Sequence, residues 1–223
     1  MDVNPSLEQS RLLNKHLELV IQENKVTNLT RITTWEQGQL LHIEDSLQGL
    51  TEIIQAPKGC LIDLGTGGGF PGIPLSIMTG RQTLLVDSVG KKIKALDRII
   101  VELDLIGQIE TYAGRAEELA QQEPESAAVI TARALSSLPS LLELASPLLQ
   151  LGGHLVCYKG QPSEEEISHA QELESLLGMR LIQQREFVLS DQVTHRSIIV
   201  FEKISQPSVK LPRRVGMAQK KPY

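Results

Sequence analysis

From residue 60 onward the chain alternates short apolar runs with longer amphipathic ones, and that rhythm restricts the fold more than any other feature. "CLIDL" (60–64) precedes a glycine turn and an apolar stretch from Ile73 to Met78, and "TLLVD" (83–87) precedes "KKIKALDRIIVELDL". "IETYAG" (109–114) is followed by "RAEELAQQ", "AAVITAR" (127–133) by "SSLPSLLELASPLL", and "GGHLVCYKG" (152–160) by "SEEEISHAQELESLLG". Strands that alternate with helices in this way build a parallel sheet with helices on both faces. "LIQQREFVL" and "RSIIVFEKI" are separated only by "SDQVTH". Six residues cannot make the crossover that a parallel pair needs, so the last two of the seven strands are expected to be antiparallel.

Two helical runs precede this unit. Leu7, Leu12, Leu13, Leu17, Val20 and Ile21 recur at helical spacing over residues 6–25. From Thr34 to Ile54, Trp35, Leu40, Leu41, Ile43, Leu47, Leu50 and Ile54 give a second apolar face, and "QAPKG" breaks it before the first strand. The expected division is an N-terminal helical extension at 1–56, an α/β domain at 57–204 and a tail at 205–223. Pro207, Pro212 and Pro222 argue against a strand or long helix in that tail.

In "LIDLGTGGGFPGIPLS" (61–76), Gly65, Gly67, Gly68 and Gly69 allow a tight strand-to-helix turn where a ligand can lie against bare amides. Neither register of G-x-G-x-x-G gives a clean dinucleotide fingerprint: from Gly65 the sixth position is Phe70, and from Gly67 the pattern contains Pro71. Asp63 sits two residues before the first glycine. A pyrophosphate there would face an anion, whereas the ammonium of S-adenosylmethionine would find a partner. A helix-cap or turn role for Asp63 is the structural alternative. Asp87 ends the second strand, where an α/β sheet places the acid that binds ribose hydroxyls. Ala116 and Glu117 follow the third strand, Arg133 closes the fourth and Lys159 the fifth, all on the rim where ligands of open α/β sheets bind.

Charge and cysteine content narrow the partners. All 27 acidic residues lie upstream of Lys203, while Lys203, Lys210, Arg213, Arg214, Lys220 and Lys221 follow without an acid. A cationic tail on an acidic body suits a local polyanion contact, the alternative being a solvated end. Cys60 and Cys157 lie far apart with no metal-ligand spacing, so two reduced thiols and no metal site are expected. The first residues lack a signal-peptide pattern, and no apolar stretch reaches the ~18 residues of a membrane span. The expectation is a soluble, cytoplasmic protein without membrane attachment.

Together these motifs resemble the glucose-inhibited division protein B family, the RsmG small-subunit rRNA guanine-N7 methyltransferases. The resemblance runs from about Asn24 to the C-terminus. It rests on "NLTRI" (28–32), "HIEDSL" (42–47), "DLGTGGGFPGIPLSI" (63–77), "LLVDSVGKKIKAL" (84–96), "GRAEEL" (114–119), "ITARAL" (130–135), "YKGQ" (158–161) and "PRRVGMAQKKP" (212–222). It implies the class I S-adenosylmethionine-dependent methyltransferase fold, a Rossmann-like, mostly parallel seven-stranded sheet. It implies transfer of a methyl group from S-adenosylmethionine to N7 of the guanine numbered 527 by rRNA convention, in a loop of 16S rRNA. Carried over by position, the cofactor contacts are Gly65, Phe70, Ala116, Glu117 and Arg133, beside the Asp63, Gly67 and Asp87 read from the turn. The sequence departs from the family where Gly216 is followed by Met217-Ala218 rather than Thr-Pro.

N7 of guanine carries a lone pair and no proton, so no catalytic base is expected; proximity and orientation suffice. Arg133 and Lys159 are candidates to orient O6 or neutralise a phosphate. The helix bearing His42 and Asp45 is expected to pack over the cofactor rim. Few aromatics exclude an extended base-stacking platform, which confines RNA contact to the tail and a rim patch with Lys91, Lys92, Arg133 and Lys159. The expected partner is 16S rRNA or a small ribosomal subunit particle, met by a monomer. An NAD-dependent oxidoreductase and a non-catalytic nucleotide-binding regulator are the competing readings.

Overall fold

A computed structural model describes residues 4–223. The first helix, α1 (Leu7–Asn24), starts at Ser6, whose hydroxyl accepts the Gln9 amide while the Gln9 side chain accepts the Ser6 amide. The second apolar run is not one helix. It divides into α2 (Trp35–Gly38), a π-helical segment (Gln39–Glu44), α3 (Asp45–Leu47) and α4 (Leu50–Gln55). The break at Gly49 has a tertiary cause: a Cβ there would lie 2.2 Å from the Tyr158 hydroxyl, which donates to the Ser46 carbonyl at 2.8 Å. Of the residues assigned to apolar faces, Leu7, Trp35 and Ile54 are exposed.

The elements then follow in the expected order. They are β1 (Leu61–Leu64), α5 (Gly72–Thr79), β2 (Thr83–Asp87), α6 (Gly90–Glu102), β3 (Ile109–Ala113), α7 (Ala116–Gln122) and β4 (Ala127–Arg133). After these come α8 (Leu138–Ala145), β5 (Leu149–Lys159), α9 (Glu164–Glu172), α10 (Glu174–Leu177), β6 (Met179–Val188), β7 (His195–Lys203) and α11 (Met217–Lys220). The sheet order is β3-β2-β1-β4-β5-β7-β6. Strands β1 to β5 pair in parallel, and β7 inserts antiparallel between β5 and β6.

Each sheet face carries its own core. Leu61 packs with Leu17, Val20, Ile73 and Leu96 from α1, α5 and α6, while its neighbours Ile62 and Leu64 pack with Leu119, Leu141 and Leu142 from α7 and α8. The N-terminal helices therefore share a core with α5 and α6. Cys157 is buried, which pushes its thiol up to about 12, and Cys60 is partly buried; both are free. Among the described residues no helix is long and apolar enough to cross a membrane.

The tail is neither a strand nor a solvated end. Lys203 belongs to β7, is fully buried and donates to the Ser146 carbonyl, so it adds nothing to a cationic surface. Arg213 makes two 2.5 Å bonds to the nearly buried Glu143 of α8. Ala218, at the departure from the family pattern, is 1% exposed. Lys210, Arg214, Lys220 and Lys221 remain exposed.

Candidate functional site

Parallel strands point their carboxyl ends at one rim, and two cavities open there side by side. The first, about 230 Å³, has apolar walls from Leu64, Val86, Leu135 and Leu144, with Gly65, Asp87, Ala116 and Glu117 among its lining residues. The second, about 400 Å³, is lined by His42, Asp45, Arg133, Tyr158, Lys159 and Arg196, among others. Ala134 lines both and is held at φ 53°, a left-handed conformation costly for any residue with a Cβ.

The glycine turn is closed on itself. The amides of Gly65 and Thr66 donate to the Val86 carbonyl, that of Gly67 to Asp87 Oδ2 at 3.1 Å, and those of Gly69 and Phe70 to the Thr66 carbonyl. Bare amides waiting for a phosphate are thus not what this turn offers. Gly65 sits at φ +71°, and a Cβ there would come within 2.7 Å of Leu135 Cδ1 at the cavity wall. Gly72 is required for a different reason. A Cβ there would meet Leu85 at 2.5 Å and the Asp63 carboxylate at 2.8 Å.

Asp63 corrects the reading of it as an ammonium partner. The side chain is fully buried, with Oδ2 accepting the Gly72 amide at 3.0 Å and Oδ1 accepting the Thr131 hydroxyl at 2.8 Å. Burial raises its carboxyl to about 6. It fastens β1 to β4 and to the start of α5, the cap role left open above. Asp87 is 8% exposed; it accepts the Gly67 and Val89 amides, has Lys92 at 3.9 Å, and still lines the cavity. Glu117 lines it too, with Oε1 accepting the Gly216 amide at 2.7 Å.

Phe70, Gly67 and Arg133 do not line the first cavity. The Phe70 ring is packed in the core, stacked on His42 with centroids 4.3 Å apart and flanked by His16 at the same distance. Arg133 turns its guanidinium into the second cavity instead. Its Nη1 donates to the Leu41 carbonyl and to Asp45 Oδ2, both at 3.0 Å, and its Nη2 to His42 Nδ1 at 3.2 Å. That contact makes His42 Nδ1 an acceptor, so Nε2 carries the proton and donates to the Thr30 hydroxyl at 2.9 Å. Burial, reinforced by the Arg133 charge, lowers His42 to about 3, and burial lowers His16 to about 4. Both imidazoles are neutral near pH 7.

The expected rim patch is divided. Lys92 lines the first cavity and Arg133 and Lys159 the second, where Lys159 is paired with Glu166 at 2.7 Å, while Lys91 is exposed on α6 and lines neither. Sequence reasoning missed Arg196, whose Nε reaches Asp45 Oδ1 at 3.2 Å. The signal was available: an antiparallel β7 beside β5 must bring its N-terminal end to the same rim. The HIEDSL segment meets the site across a junction: His42 lies in the last turn of the π-helical stretch, a form often found at functional sites, and Asp45 opens α3.

The lining of the first cavity suits an adenosyl ligand with a zwitterionic end: the Asp87 and Glu117 carboxylates accept from hydroxyls or an ammonium, Lys92 and Arg115 face a carboxylate, and apolar walls take a flat ring. The family model described as rRNA small subunit methyltransferase G matches residues 9–211. The chain belongs to that family. It is 37% identical over 218 residues to "Ribosomal RNA small subunit methyltransferase G" of Alkaliphilus metalliredigens, covering 96% of this chain and 90% of the relative. It is 36% identical to the protein of the same name from Desulfitobacterium hafniense, over 100% of this chain and 92% of that one. Among solved structures, a putative rRNA-methylase from Clostridium thermocellum superposes with a TM-score of 0.56 at 16% identity, over 71% of this chain and 95% of that one. Geranyl diphosphate C-methyltransferase from Streptomyces coelicolor, solved with S-adenosyl-L-homocysteine, gives 0.55 at 13% identity over 70% and 78%. These two likenesses establish the methyltransferase fold.

Proposed function

We infer that the chain is an S-adenosylmethionine-dependent methyltransferase that methylates N7 of a guanine in 16S rRNA, with position 527 as the target the family resemblance implies. The observation that carries this reading is the pair of cavities meeting at Ala134: an adenosyl-type site on one side and a cationic, base-sized site on the other. A methyl donor and an acceptor base held there would meet across one backbone residue.

When bound, S-adenosylmethionine supplies a methyl group on a sulfonium, open to in-line displacement. Asp87 would take the ribose hydroxyls, Ala116 and Glu117 would border the adenine, and Gly65 leaves room at the turn. In the second cavity Arg133, Arg196 and Lys159 provide N–H donors for guanine O6 or a flanking phosphate. No residue has to remove a proton. His42 accordingly serves as a neutral brace rather than a base, and Asp45 is held between Arg133 and Arg196.

The test is transfer of labelled methyl from S-adenosylmethionine to unmethylated small-subunit rRNA, naked and in particles, with nucleoside mass spectrometry of the product. Label recovered as 7-methylguanosine at one site supports the reading. Cofactor binding without transfer to either form overturns the rRNA assignment.

A further inference from the structure

The body of the α/β unit does not complete the first cavity. Gln219, sixteen residues beyond the end of the last strand, also lines it. The segment that carries Gln219 is held at three points. Arg213 makes its two bonds to Glu143, a side chain 2% exposed, and its guanidinium lies 4.1 Å from the Tyr223 ring centroid. Ala218 is buried against the core that contains α8. The Gly216 amide donates to Glu117, so the carboxylate at the cavity wall takes its orientation from the tail.

We propose that residues 213–219 are part of the cofactor site: Arg213 latches the segment onto α8, Gly216 fixes the carboxylate of Glu117, and Gln219 closes the cavity over the bound ligand. This rests on the functional reading above and adds binding and positioning residues to it. The physical argument is enclosure. Glu117 is 5% exposed with the tail in place. Without the tail the carboxylate loses its amide donor, and the cavity loses the wall that keeps water from the ligand. A bidentate Arg–carboxylate pair with one nearly buried partner has a fixed geometry, which suits a latch better than a flexible lysine contact would. Arg213 acts through this position and is a positioning residue; Gln219 is the one that touches ligand.

The experiment measures S-adenosylmethionine and S-adenosylhomocysteine affinity by calorimetry on the full chain, with steady-state transfer to rRNA alongside. Arg213→Ala should raise the cofactor Kd about tenfold, and Gln219→Ala about threefold, while kcat at saturating cofactor and the KM for RNA stay within about twofold. Arg213→Lys should recover part of the loss. Cofactor addition to the wild type should slow hydrogen exchange at the Gly216 amide. Gln219 is exposed and its truncation leaves the core intact, so it decides the matter if Arg213→Ala does not fold. Unchanged cofactor affinity in folded Arg213→Ala and Gln219→Ala overturns the proposal, as does a loss confined to kcat. A wild-type chain that binds no S-adenosylmethionine overturns the functional reading itself, and the proposal with it.

Discussion

Arg133→Ala separates two roles for the arginine that ends β4, holding the cofactor or holding the acceptor cavity. In the structure its guanidinium bonds Leu41, His42 and Asp45, with side-chain exposures of 15% for Arg133 and 4% for Asp45. Removing one partner of a buried ion pair costs about 3 to 5 kcal/mol. Arg196 remains on Asp45 at 3.2 Å, which places this case near the lower end, about 3 kcal/mol. For a chain of this size that is a fall in Tm of about 6 to 12 °C. Asp45→Asn in the same background removes the stranded charge and should restore about 1 to 2 kcal/mol without restoring transfer. At a temperature where the variant is folded, transfer to rRNA should fall at least about a hundredfold, because the π-helical wall of the acceptor cavity loses its anchor. Cofactor Kd should change less than about twofold. Thermal unfolding, calorimetry and single-turnover transfer read these quantities separately. A large loss of cofactor affinity with normal stability would refute the placement of Arg133 in the acceptor wall.

Other perturbations probe the frame. Gly72→Ala should cost about 3 kcal/mol in chemical denaturation, because its Cβ falls 2.5 Å from Leu85 and 2.8 Å from the Asp63 carboxylate in a fully packed region. Acid should destabilise the fold. His16 is held near 4 against 6.5 unfolded, so the unfolded chain binds the proton first and stability falls from pH 6.5 toward 4, by about 3 kcal/mol for this residue. His42 acts in the same direction, while Asp63, raised to about 6 from 3.8, acts in the opposite one, gaining stability as pH falls through 6. His16→Gln keeps a donor for the Gly68 carbonyl and should flatten the pH slope; an unchanged slope in urea titrations at pH 7, 5.5 and 4.5 would exclude His16 as its source. Arg81→Ala removes donors to the carbonyls of Ile53, Ala56, Pro57 and Gly59 at the opposite end of β1. It should lower Tm by several degrees, about 2 kcal/mol, yet leave cofactor Kd unchanged.

The chain order and type of the strands were legible because the central strands carry short apolar runs and the edge strand β6 alternates apolar and polar residues, patterns that come from local burial. Asp87, Ala116, Glu117 and Gly65 could be placed on the rim for the same reason: they sit where strands of known direction end. The second helical run was misread as continuous because its break depends on Tyr158, 109 residues beyond Gly49 in the chain. Periodicity within a window carries no trace of such a contact.

Side-chain direction was the other limit. Asp63, Phe70 and Arg133 all stand next to the site in sequence, and each turns away from the first cavity: Asp63 to cap α5, Phe70 between two histidines, Arg133 into the neighbouring cavity. The tail showed its charge, its prolines and a stretch that resembles the family, but not where it packs. Its place at the cavity is decided by Glu143 and Glu117, acids far upstream that find Arg213 and the Gly216 amide only once α7 and α8 are packed. By itself the sequence determined the alternating elements, the antiparallel ending and the family, since these rest on short-range pattern and on residue identity. Which side chains face a ligand, which face each other and where the tail lies were decided by the tertiary structure, because a buried polar group takes whatever partner the packed fold brings within about 3 Å.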